Sequence, residues 1–215
     1  PEGVIIEPEF LDEAALSVPS VALENARLEI HRAGTITLDM MDALNKAIVQ
    51  RDVQKIDEAA RRDDEVDILE ADIMKYLGHI RQTMLTEDES RDHQALVTAM
   101  TNLESLAGIM ESDMVGVVKT YMKGEYQPGS KETQEMVQGL WQVVHDAVQL
   151  AVQAVGKNDQ RAAQEVLLMK DKVRELADRL FERHATRLRA DDPKYLERVR
   201  LLMTFIEQLR HMYTL

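Results

Sequence analysis

Cysteine is absent from this chain, which excludes disulfides, thiolate metal sites and cysteine nucleophiles. Aromatic residues reach only 4%, with nine glycines and five prolines, while Ala, Leu, Glu, Lys, Arg, Gln and Met abound. Residues that build strands and turns are scarce and helix formers are not, so the composition points to an all-α fold. Positive charge is also short: 26 Lys and Arg face 39 Asp and Glu, a net charge of −13. Nucleic acid is a poor partner for such a surface, because neutralising phosphates takes basic residues. No apolar run approaches the ~18 residues of a membrane span, and no signal peptide is visible. This stretch is therefore expected not to insert into a membrane itself. It starts at Pro1 instead of Met and reaches Leu215 in a helical pattern, so we read it as part of a longer protein. At 215 residues it has room for one large or two small domains.

Apolar residues recur at three and four along most of the chain, the signature of amphipathic helices. Residues 1–19 lack that period and read as an extended lead-in. A first helix follows Pro19 and Ser20, with Leu23, Ala26, Ile30, Ala33, Met41, Leu44 and Ile48 on its stripe. Asp52 caps a second, whose stripe runs Ile56, Ala59, Val66, Leu69, Ile73, Leu77, Ile80 and Met84. The third carries Leu96, Leu103, Ala107, Met110, Met114, Val117 and Tyr121. Residues 124–129 hold the one concentrated Gly/Pro break. Beyond it, Ser130 caps a fourth helix, Gly156 and Asn158 mark its stop and a new cap, and Asp192-Pro193 opens a sixth.

The halves repeat. Ala47-Ile48-Val49-Gln50-Arg51-Asp52 lies over Ala154-Val155-Gly156-Lys157-Asn158-Asp159, and the same offset lays Val66 on Val173 and Leu69 on Leu176. Two tandem antiparallel three-helix bundles, 20–123 and 130–215, bury one stripe per helix most economically.

One stretch stands out chemically. In helix two, Asp63, Asp67 and Glu70 are stacked four and three residues apart along the border of the apolar stripe. Glu104 and Glu111 flank the stripe of helix three, so oxygen ligands converge if the two helices adjoin. A carboxylate cluster suits a hard or borderline divalent cation, Mg, Mn, Fe or Ca. The alternative is a solvated acidic border paired with Arg61, Arg62 or Lys75. Other chemistry is thin. Inward-facing Glu-x-x-His pairs are missing, Glu207 and His211 are a lone pair, and nucleophile and phosphate-loop motifs are absent.

The twofold three-helix repeat with Asp-x-x-x-Asp spacing resembles the PhoU family. The lead-in, Phe10-Leu11-Asp12-Glu13, Leu16, Pro19, Ala22-Leu23-Glu24 and Ala26-Arg27-Leu28-Glu29-Ile30, looks like the junction and first helix of the PhoU-like domain of bacterial sodium/phosphate cotransporters. The resemblance implies metal-cluster motifs, and it maps the helix-two motif onto Asp63 and Asp67. The partner motif in helix three reads Leu103-Glu104-Ser105-Leu106-Ala107-Gly108, which lacks the last acid. In the second half Lys170 and Arg174 stand over Asp63 and Asp67. Any metal site is thereby confined to Asp63, Asp67, Glu70 and Glu104, and weak or no stoichiometric metal is expected. The resemblance further implies a non-enzymatic cytoplasmic domain of an inner-membrane transporter. Its partners would be the transmembrane part of that transporter, other phosphate-regulatory proteins or a second copy of the chain. A free-standing phosphate-signalling adaptor is the alternative, and a metal-dependent enzyme acting on phosphate esters comes last.

Overall fold

The computed structural model describes residues 3–124, 126, 128–187 and 192–215, and among these the chain forms six helical rods and no strand. The rods are α1 (Pro19–Gln50), α2 (Val53–Arg81), a third made of α3 (Glu87–Gly108), a π-helical turn (Ile109–Met114) and α4 (Val115–Lys123), then α5 (Lys131–Lys157), a fifth made of α6 (Gln160–Leu168) and α7 (Lys170–Ala185), and α8 (Pro193–Thr214). The all-α expectation from composition and period is met.

The joints α1–α2 and α5–α6 are built alike. Arg51 and Asn158 both take the left-handed conformation, with φ of 54° and 50°. The next amide then reaches back to close the helix, Asp52 N–H to the Ala47 carbonyl at 3.1 Å and Asp159 N–H to Ala154 at 2.9 Å. The carboxylates of Asp52 and Asp159 cap the following helix, each accepting an N–H two residues on at 2.9 Å. The sequence reading put the second stop at Gly156, but the turn falls on Asn158, which tolerates positive φ. Two other expectations are corrected. The stripe of helix two was carried to Met84, yet α2 ends at Arg81 and Met84 is 96% exposed. The lead-in is not extended throughout: Glu13–Ser17 form a 3₁₀ turn capped by Asp12.

Gly156 instead permits close helix approach. Helices α1 and α5 run antiparallel through the centre, with His31 against Gly156, Val152 against Gly34 and His145 at 3.2 Å from Asp42. Stripes from both halves meet in one buried cluster that includes Ile30, Met41, Leu69, Ile73, Leu140 and Ile206. A Cβ on Gly34 would lie 2.7 Å from both Val152 methyls, whereas one on Gly78 of α2 would meet nothing. Alanine gains about 1 kcal/mol of helix propensity over glycine, and overpacking costs about 1–3 kcal/mol. Gly34→Ala is therefore expected to lose about 1 kcal/mol net while Gly78→Ala gains a similar amount. Urea titration of the two variants checks this, and a stabilised Gly34→Ala would contradict the packing described.

Candidate functional site

On α2, Val66, Leu69 and Ile73 have no solvent exposure and Leu77 has 1%, which fixes the core direction of the helix. Asp63 and Glu70 are half-buried beside that face, and Asp67 is exposed one turn from Asp63. Helix α3 and the π-helical turn pack next to α2 and bring exposed Glu104 and half-buried Glu111 against the same edge. Loss of solvent pushes the Asp63 carboxyl up to about 6, and the charges of Asp67, Glu111, Asp64 and Glu104 add to it. Glu70 is raised by burial, Glu104 and Asp67, and Asp67 by burial and Asp64. Glu104 and Glu111 thus lie near enough to α2 to act on Asp63, and Glu104 on Glu70.

The expected basic partners do not. Arg62 donates to Glu65, one turn along its own helix, at 2.8 Å. Among the described residues, no cation forms a salt bridge with Asp63, Asp67 or Glu70. With no paired cation, the repulsion at Asp63 is relieved by proton uptake only as pH falls through about 6. The arrangement does not fit a multi-ligand metal centre either: among the described residues, no three His, Asp or Glu side chains are disposed to hold one ion. Purified chain analysed for metals is expected to carry less than one ion, and two or more irons or manganese ions per chain would overturn this reading of the edge.

The second half has no acid at the positions equivalent to Asp63, Asp67 and Glu70, which are Lys170, Arg174 and Ala177. Lys170 opens α7 after the break at Met169, and Arg174 turns to Asp171 at 2.7 Å. Glu207 pairs with Arg210 at 3.0 Å and His211 is exposed, so these two form no ligand pair. Two features were missed in the sequence. One is the π-helical turn that carries Glu111, inside which the Ser112 hydroxyl donates to the Gly108 carbonyl. The other is Glu29, which was read only as part of a motif yet is fully buried.

The repeat built around α1 and α5 is also what a family comparison finds. A model of the PhoU domain matches residues 30–111 and again 137–214, with starts 107 residues apart. The chain belongs to the PhoU domain family. It is 25% identical over 213 residues to a protein of Escherichia coli (strain K12) named for inorganic phosphate export, YjbB, and 26% identical over 211 residues to the protein of that name in Salmonella typhimurium strain LT2. These alignments cover 98% of this chain but 38% of either relative, so the chain spans less than half the length of the curated relatives it matches. No helix among the described residues is long and apolar enough to cross a membrane. This PhoU chain is thus a helical domain related to phosphate-transport proteins.

Proposed function

We propose that this chain is the regulatory, contact-making PhoU-like domain of a sodium-dependent phosphate cotransporter, lying on the cytoplasmic face of the inner membrane. The observation that carries this reading is the similarity over 98% of the chain to proteins named for phosphate export, of which it spans 38%. A domain of that kind works by touching the transmembrane part of the same protein and, through it, other phosphate-regulatory proteins. Catalysis is not part of the proposal. Among the described residues, no three His, Asp or Glu side chains at the acidic edge or elsewhere are disposed to hold one ion.

The test is phosphate flux in cells carrying the intact protein or a version lacking residues 19–215. Deletion is expected to change the rate or its response to external phosphate without removing the transporter from the membrane. Unaltered flux and response would overturn the proposal. Recovery of a sensor kinase with the separately expressed chain, and no effect on its own transporter, would favour the free-standing adaptor.

A further inference from the structure

The lead-in crosses α1 and α2 as a strap held by a buried charge. Glu29 on α1 has no solvent exposure, and carboxylates are almost never so placed unless paired. One of its oxygens accepts the backbone N–H of Glu9 at 2.8 Å and of Phe10 at 2.7 Å. The other accepts Arg32 Nη1 at 2.8 Å, and that same nitrogen donates to the Glu7 carbonyl at 2.8 Å. Arg32 Nη2 pairs with Glu9 at 3.1 Å. Further along, the Tyr76 hydroxyl of α2 donates to the Asp12 carbonyl at 2.8 Å. Most of these bonds end on strap backbone, so they set its register whatever its side chains. Lifting the strap strips the Glu29 carboxylate of two of its donors, and removing partners from a buried charge is strongly unfavourable.

We infer that Glu29 and Arg32 form a coupling clamp. They hold residues 7–12 in one register on α1 and α2, so that displacement of the chain ahead of the strap is delivered to α2 and its Asp63, Asp67 and Glu70 edge instead of being absorbed as linker slack. Tyr76, the second anchor, lies six residues beyond Glu70 on the same helix. The clamp stands on geometry, and its regulatory use rests on the reading of this chain as a domain of a larger phosphate-transport protein.

Because the chain has no cysteine, Ile5→Cys and Leu168→Cys, at positions 89% and 82% exposed, take two spin labels cleanly. The expected result is a narrow distance distribution that broadens in Glu29→Ala. The Glu9 and Phe10 amides should then exchange at least ~10-fold faster while helical circular dichroism is retained. Should Glu29→Ala fail to fold, Arg32→Ala at the rim of the clamp gives the same readout at smaller amplitude. A distribution that stays narrow, with unchanged amide protection, would overturn the clamp. In the intact protein, Glu29→Ala is expected to weaken the response of flux to external phosphate. Unchanged response with a released strap would overturn the coupling, and the deletion of residues 19–215 judges the contact role separately.

Discussion

Replacing Trp141 by alanine is expected to lower folding stability by about 3–5 kcal/mol, the range for deleting a large buried aromatic. Trp141 is 2% exposed on α5, and its ring stacks on Phe205 of α8 with centroids 6.0 Å apart and planes 9° apart. The surroundings have little freedom to collapse into the space. Helix α5 is also packed against α1, where a Cβ on Gly34 would already meet Val152, so most of the vacated volume persists as a cavity. Trp141 is the sole tryptophan, so the measurement is urea unfolding followed by circular dichroism, with Trp141→Phe expected to retain the larger part of the lost stability. A loss under about 1 kcal/mol would place the seam between α5 and α8 outside the cooperative core.

Removing one acid at the α2 edge should act in the opposite direction. A carboxyl whose folded-state pKa exceeds its unfolded value favours folding only while protonated. Asp63, raised from 3.8 to about 6, thus contributes stability that is complete below about 3.8 and lost as pH rises through about 6. Converted at ~1.4 kcal/mol per pH unit, that displacement amounts to about 3 kcal/mol, and screening of this half-exposed edge by water reduces it to about 1–2 kcal/mol. Asp63→Asn is expected to stabilise the chain by that amount at pH 7.5 in chelator and to change nothing at pH 3.5. An equal gain at both pH values would mean that packing, not charge, governs the site. Loss of stability on Asp63→Asn when Mn²⁺ is supplied would reveal an ion held by the edge.

Much of this architecture was written in the apolar period. Stripes such as Leu23, Ala26, Ile30, Ala33 and Val66, Leu69, Ile73 are buried as read, because spacing at three and four places side chains on one face whatever the loops do. Where the reading failed, no local marker distinguished the outcome. Gly156 signals a helix end as strongly as Asn158 does, and only the approach of His31 shows that its missing side chain serves packing. The break at Met169 keeps near-helical angles of φ −79° and ψ −11°, so neither glycine nor proline announces it. At the edge, the acids were legible since they lie on one border of a visible stripe. Their lack of cation partners was not, because Arg62 had several acids in reach and the folded geometry settles it on Glu65. The role of Glu29 depends on backbone 19 and 20 residues away, beyond any periodicity.

The central pair of antiparallel helices has a consequence for how this molecule varies. Its contacts centre on Met40 and Ala147, positions equivalent in the repeat, so α1 and α5 meet as two subunits of a twofold dimer would. In such a dimer each substitution enters the interface twice. Here both copies lie in one polypeptide and differ at equivalent positions: Gly34 faces Val152, whereas the repeat puts Trp141 and Asn45 at the corresponding places. The join is thus unlike at its two ends, and a substitution at Gly34 or Val152 enters it once.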